Sequence, residues 1–106
     1  MFGRDDDMVV IGGENVYPGQ VEDVLHGHPA VLDVAVTSSP DPAYGARLVA
    51  HVVASGPVGV EELQELVRDR LARFAVPRDV RLVAELPRNA TGKVRKRELR
   101  SSGGPS

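Results

Sequence analysis

Apolar positions change period several times along this chain, and each change predicts an element. Asp7-Met8-Val9-Val10-Ile11 is a short apolar run that stops at Gly12-Gly13, and a second run, Asn15-Val16-Tyr17, follows. Apolar runs on both sides of a glycine pair predict a small hairpin or a sharply turned loop. Pro18 suits the first turn of a helix, where its missing N–H is not needed. Val21, Val24, Leu25 and His28 then fall at helical spacing, with Glu22 and Asp23 placed to favour the positive N-terminal end. Gly27 and Pro29 end that helix. Residues 30–37 are rich in β-branched side chains and predict a strand, and Ser39-Pro40-Asp41-Pro42 predicts a turn or loop. A second strand runs over 47–54 until Ser55-Gly56-Pro57 breaks it.

Helical spacing is clearest from Val60 to Phe74. There Val60, Leu63, Val67, Leu71 and Phe74 make one apolar stripe, with Glu61 and Glu62 early and Arg68, Arg70 and Arg73 late, matching the helix dipole. Residues 79–84 alternate apolar and polar, as a half-buried strand does. Residues 87–92 predict a polar loop, 94–100 a short basic helix and 101–106 a flexible tail. The fold class is therefore α+β: a small three-stranded antiparallel or mixed sheet, flanking helices and an N-terminal β-hairpin. One folded domain spans residues 1–100.

Composition adds limits. At 106 residues the chain has room for one modest core. Without Trp and with only two Phe and two Tyr, that core must be built from Val, Leu and Ala. The absence of Cys excludes disulfides, thiolate metal sites and a thiol nucleophile, and suits a cytoplasmic location. No apolar run approaches the roughly 20 residues of a membrane span. The net charge of −2 hides an asymmetry. Residues 1–60 carry eight acids against Arg4 and Arg47, whereas residues 61–106 carry seven acids against eleven bases. Either local helix and loop chemistry or an anionic partner explains the basic end.

Three segments exceed what the fold needs. Gly3-Arg4-Asp5-Asp6-Asp7 places three like charges before an apolar strand, which alone reads as a solvated turn. Gly12-Gly13-Glu14-Asn15 offers permissive backbone between polar groups, and a turn again suffices. Pro87-Arg88-Asn89-Ala90-Thr91-Gly92-Lys93 puts a lysine on a loop ahead of a basic segment, where an ammonium could meet a phosphate or carboxylate. Lys93, Arg95, Lys96, Arg97 and Arg100 could equally be a nucleic-acid patch or a soluble helix face. Thr91-Gly92-Lys93 lacks the earlier glycine of a phosphate-binding loop. No His/Asp/Glu cluster has metal-ligand spacing, and Ser38 and Ser39 have no evident His partner.

Taken in order, these segments resemble the C-terminal domain of adenylate-forming acyl-CoA synthetases. The resemblance runs from Gly3-Arg4-Asp5-Asp6-Asp7 through Ile11-Gly12-Gly13-Glu14-Asn15-Val16-Tyr17-Pro18 and His28-Pro29-Ala30-Val31. It continues through Asp33-Val34-Ala35-Val36, Pro40-Asp41, Tyr44-Gly45 and Phe74-Ala75-Val76-Pro77-Arg78. It closes with Leu86-Pro87-Arg88-Asn89-Ala90-Thr91-Gly92-Lys93-Val94. Gly-Gly-Glu-Asn-Val-Tyr-Pro and Arg-Asn-Ala-Thr-Gly-Lys look like the CoA-ligase branch rather than peptide-synthetase adenylation domains.

The resemblance implies a two-step reaction: a carboxylic acid and ATP give an acyl adenylate, which a CoA thiol then captures. It implies that Lys93 is the adenylation lysine, Asp6 the hinge about which the domain swings, and Arg4 a contact to the ATP ribose. Gly12 and Gly13 match the loop that makes room for pantetheine, and Tyr44 matches an aromatic position lining that tunnel. Phe74 and Arg78 match the segment that can contact the CoA nucleotide, although Val76 is apolar where some relatives carry positive charge. ATP with Mg is expected to bind mainly to a large N-terminal adenylation domain, in cis or in trans. The chain is therefore expected to be inactive alone, as an excised fragment or as a small subunit of a separate core. A lid-like interaction module is the alternative. A nucleic-acid binder is disfavoured, because no aromatic residues interleave the basic ones.

Overall fold

The computed structural model describes residues 8–88, 90–92 and 94. Chain order is β1 (Val9–Ile11), β2 (Glu14–Val16), α1 (Pro18–His26), β3 (Val31–Asp41), β4 (Gly45–Ala54), α2 (Val60–Arg70), a 3-10 turn (Arg73–Ala75) and β5 (Asp79–Leu82). β1 and β2 pair antiparallel as a two-residue hairpin, while β3, β4 and β5 form the main sheet in that order. β4 is antiparallel to β3 and parallel to β5, so the sheet is mixed. The expected α+β class, three-stranded sheet and N-terminal hairpin are all present.

The central strand is covered on both sides. Leu48, Ala50 and Val52 of β4 face a core shared with Val34 and Val36 of β3, Val21 and Leu25 of α1, and Leu63 and Val67 of α2. Seven of these residues (Val21, Leu25, Leu48, Ala50, Val52, Leu63 and Val67) have no exposed surface, which at about 25 cal/mol per Å² makes this layer the main source of stability. The opposite face carries Ala35, Thr37, His51 and Val53. There Ala35 packs with Leu86 in a second cluster that Val53, Val83 and Val94 border. Val83, Leu86 and Val94 thus strap the back of the sheet. An isolated antiparallel bridge joins Arg88 to Val94.

Several boundaries differ from expectation. β3 runs through Ser39-Pro40 to Asp41, paired with Gly45, so the turn falls on residues 42–44. Proline is tolerated because β3 is an edge strand. α1 ends at His26, and His28 lies beyond it, accepting the Ala30 N–H at Nδ1 (3.0 Å). Its Nε2 is then left to donate to Glu62 of α2 at 2.6 Å. That bond is the main reason the Glu62 carboxyl titrates below its usual range. Glu22 sits past the first turn of α1 and accepts the Val36 N–H at 2.8 Å, so it covers the open edge of β3 rather than serving the dipole.

The stripe from Val60 to Phe74 is not one helix. α2 stops at Arg70, Leu71 takes φ −119° and ψ −93°, and Ala72 is extended before the 3-10 turn begins. β5 must start beside β4 only a few residues later, so the chain has to reverse there. Gln64 Nε2 holds the returning segment by donating to the Pro77 carbonyl at 2.9 Å. β5 itself ends at Leu82, two residues short of the expected strand. The basic helix expected over 94–100 falls outside the described residues except for Val94, which is in the bridge.

His51 supplies a test of the back layer. It is 4% exposed, with Nε2 3.2 Å from Thr37 Oγ1, and burial first and the Arg81 charge second hold its pKa below the ordinary value of 6.5. The unfolded chain therefore binds the proton more readily. Stability from this group is complete above pH 6.5 and is lost as pH falls toward the lower folded pKa. Denaturant midpoints at pH 7 and pH 5 should differ, and His51→Leu should remove much of the difference.

Candidate functional site

The Gly12-Gly13 turn is the first piece of the site. Both glycines have positive φ, 58° and 85°, which is the condition for the tight turn whose twist suits a two-residue hairpin. The Gly12 N–H donates to the Tyr44 carbonyl at 3.0 Å, so the hairpin tip is tied to the β3–β4 turn. A Cβ at Gly12 would lie 2.9 Å from Phe74 Cε1 and 3.5 Å from Tyr44 Cδ1. A Cβ at Gly13 would meet nothing within 4 Å, so that side of the turn is open.

Tyr44 is fixed through its backbone. Asp41 Oδ1 accepts the N–H groups of Ala43 at 2.8 Å and Tyr44 at 3.1 Å. The Ala43 bond first and the Tyr44 bond second lower the Asp41 pKa, with the charges of Arg78 and Arg47 adding to them. The Tyr44 ring is left half exposed, and the Arg78 guanidinium lies 5.5 Å from its centroid. Arg78 is placed by its own N–H, which donates to the Leu48 carbonyl of β4 at 3.0 Å.

These residues converge on one open cavity of about 340 Å³. Tyr44, Phe74 and Arg78 line it together with Arg47, Arg73 and Val76, and Gly12 abuts its aromatic wall. Four positions named from sequence, Gly12, Tyr44, Phe74 and Arg78, are thus brought together from the hairpin, the β3–β4 turn, the 3-10 turn and the entry to β5. Gly13 projects from the same hairpin tip. Sequence reasoning missed Arg73 and Arg47. Arg73 had been assigned to a helix end, but the break after Arg70 carries it to the cavity, 5.8 Å from the Phe74 centroid. Arg47 is turned toward carboxylates, with Nε 3.4 Å from Asp79 Oδ2 and Nη1 3.9 Å from Asp41 Oδ2. Cationic side chains flank apolar Val76 on both sides, so the cavity can meet a phosphate while its rings meet an apolar or heterocyclic group.

Lys93, Asp6 and Arg4 lie outside the described residues. Residues 90–92, just ahead of Lys93, are described, and Arg88 holds them at Gly92. Arg88 pairs with Asp33 of β3 and donates from Nη1 to the Gly92 carbonyl at 2.6 Å. Among the described residues no group of three His, Cys, Asp or Glu could hold a metal ion, and no helix is long and apolar enough to cross a membrane.

Residues 20–93 match the family described as the AMP-binding enzyme C-terminal domain. The chain is 44% identical over 100 residues to a 2-succinylbenzoate–CoA ligase of Bacillus cytotoxicus, covering 94% of this chain and 21% of that protein. Its fold is similar to a fatty acyl CoA synthetase of Mycobacterium tuberculosis, at TM-score 0.84 and 42% identity over 91% of this chain and 19% of the other. It is also similar to an amide bond synthetase of Marinactinospora thermotolerans, at TM-score 0.87 and 37% identity over 95% and 21% of the two chains. The chain thus spans about a fifth of the length of the curated relatives it matches.

The contact at Gly12 gives a paired test. Gly12→Ala and Gly13→Ala both impose an unfavourable φ, of order 1–2 kcal/mol, but only Gly12→Ala must also displace the Phe74 ring. Chemical denaturation should show Gly12→Ala to be the less stable of the two. Equal midpoints would remove Gly12 from the cavity wall.

Proposed function

This chain belongs to the AMP-binding enzyme C-terminal domain family, and we propose that it is the mobile domain of a CoA ligase. In this reading it acts with a large adenylation domain, in cis or in trans, to turn a carboxylic acid and ATP into an acyl adenylate and then an acyl-CoA. The curated relatives are 2-succinylbenzoate–CoA ligases, which favours an aromatic or related bulky acid as substrate. ATP with its magnesium sits mainly on the large domain, and the enzyme works in the cytoplasm.

The observation that carries the proposal is the separation of two loops. The Gly12 turn is tied to Tyr44, just past the Asp41 end of β3, whereas the Gly92 loop is tied to Asp33 near the other end. Asp33 and Asp41 are eight residue steps of extended chain apart, roughly 25 Å at about 3.3 Å each. One orientation of the domain cannot bring both loops to the same acyl carbonyl. A domain that swings between the two steps can.

In the first orientation Lys93 places its ammonium where negative charge develops as the carboxylate oxygen attacks the α-phosphorus and pyrophosphate leaves. In the second, Gly12 and Gly13 leave space for the pantetheine arm, and Tyr44 and Phe74 flank it. Arg78 and Arg73 face the phosphates of the CoA nucleotide, and the thiol attacks the acyl carbonyl to expel AMP. Asp6 is the hinge between the orientations, and Arg4 contacts the ATP ribose.

Two measurements test this reading in an enzyme that joins the chain to a large adenylation domain. Lys93→Ala should slow adenylation about 100- to 1000-fold, the typical worth of a preorganised charge, and spare acyl transfer from a supplied acyl adenylate. Lys96→Ala should change either step little, and the 106-residue chain alone should release no pyrophosphate. Matching behaviour of Lys93→Ala and Lys96→Ala would end the catalytic reading. Asp6→Pro, which fixes φ near −65°, should harm thioester formation far more than adenylation. Equal loss of both steps in a folded protein would count against the hinge.

A further inference from the structure

We propose that Arg88 is the positioning residue of the Lys93 loop, clamping the backbone one residue before Lys93 to the β3 strand. The proposal rests on the reading of Lys93 given above, and its test separates the two. The guanidinium spans two partners: Nη2 donates to Asp33 Oδ2, and Nη1 donates to the Gly92 carbonyl at 2.6 Å. Asp33 is itself fixed, because its Oδ1 accepts the Val34 N–H at 3.0 Å. The clamp is thus anchored in the sheet at one end and in the loop at the other.

β3 is built to present that anchor. A register irregularity lies between Val31 and Asp33, and Leu32 there is 59% exposed. Strict alternation would put Val31 and Asp33 on the same face. The extra residue instead lets Val31 and Val34 both enter the front core while Asp33 joins Ala35 on the back. That is the face against which Val83, Leu86 and Val94 lie. Val94 and Leu86 pack there, and the Arg88–Val94 bridge closes the base of the loop. Gly92 has φ +88°, so the direction of its carbonyl belongs to a conformation that other residues rarely adopt.

The clamp's value is geometric rather than stabilising. Arg88 and Asp33 are 41% and 27% exposed at their side chains, and an ion pair so placed adds little to stability. A planar fork with several donors can hold a carboxylate and a carbonyl at once, which a lysine ammonium does with less directional control.

The test uses Arg88→Ala, Arg88→Lys and the charge exchange Arg88→Asp with Asp33→Arg. A carboxylate at position 88 can pair with an arginine at 33 but cannot donate to the Gly92 carbonyl. In the enzyme joined to its large domain, Arg88→Ala should slow adenylation roughly 10- to 100-fold, the scale of a small misplacement of a reacting group. Acyl transfer from a supplied acyl adenylate should be unchanged, and Arg88→Lys should fall between. The charge exchange should stay as slow as Arg88→Ala. Restoration of adenylation by the exchange, or equal loss of both half-reactions in Arg88→Ala, overturns the proposal. The second readout is the heteronuclear NOE of the Gly92 amide in the 106-residue chain, which should fall in Arg88→Ala and in the exchange. An unchanged Gly92 signal overturns the clamp whatever Lys93 does. Should Lys93→Ala leave adenylation intact, the catalytic reading fails by itself, and the Gly92 signal alone decides the clamp.

Discussion

A central strand buried on both faces governs this domain. β4 has Leu48, Ala50 and Val52 on one side and Val49 and His51 on the other, all buried. A small chain cannot leave either face to water. The two helices cover one face, and no third helix is present among the described residues to cover the other. The strap formed by Val83, Leu86 and Val94 does so. A segment that carries a glycine loop toward a candidate catalytic lysine is therefore also part of the core, which limits how far that loop can drift. The mobility that the proposed function needs must then come from the domain as a body rather than from the loop.

How much of this was legible in the sequence depended on whether a residue's partners were local. Helix periods, the glycine-pair hairpin and the β-branched strands follow from near neighbours and were readable. The break after Arg70 was not. Leu71 and Phe74 continue the apolar stripe, no Gly or Pro interrupts it, and only the return of the chain to β5 ends the helix. Pro40 was read as a turn residue, because its place on a free strand edge is a tertiary fact. For the site, Gly12, Tyr44, Phe74 and Arg78 were named from a resemblance, whereas Arg73 and Arg47 had no pattern to mark them. The Arg88–Asp33 pair spans more than 50 positions, and its geometry depends on an irregularity at Leu32 that no spacing rule reveals.

Charge along the chain takes on a structural meaning once partners are known. Set against the acidic residues 1–60, residues 61–106 looked basic enough to ask what anion they meet. Much of the acidity is internal work. Asp33 fixes Val34 and Arg88, Glu22 covers the β3 edge, and Asp41 shapes the turn that carries Tyr44. Arg88 and Arg47, in turn, are directed at those acids. At physiological ionic strength charges more than about 8 Å apart are largely screened, so the sum over a half-chain says little about either end.

What remains for an anion is local and directed. Arg73 and Arg78 lie against Phe74 and Tyr44, form no ion pair among the described residues although Asp41 feels the Arg78 charge, and both line the cavity that the hairpin tip abuts. A guanidinium stacked on a ring keeps its outer donors available, because the ring engages its face and not its N–H edge. The pairing holds two flexible cations in place without neutralising them. A phosphate entering such a cavity meets charge that is already oriented, so little ordering cost is left to the moment of binding. A solvated basic helix could not offer that. The pattern therefore favours a small anionic ligand with an apolar part over the extended backbone of a nucleic acid, and it follows from which acids the fold had already committed elsewhere.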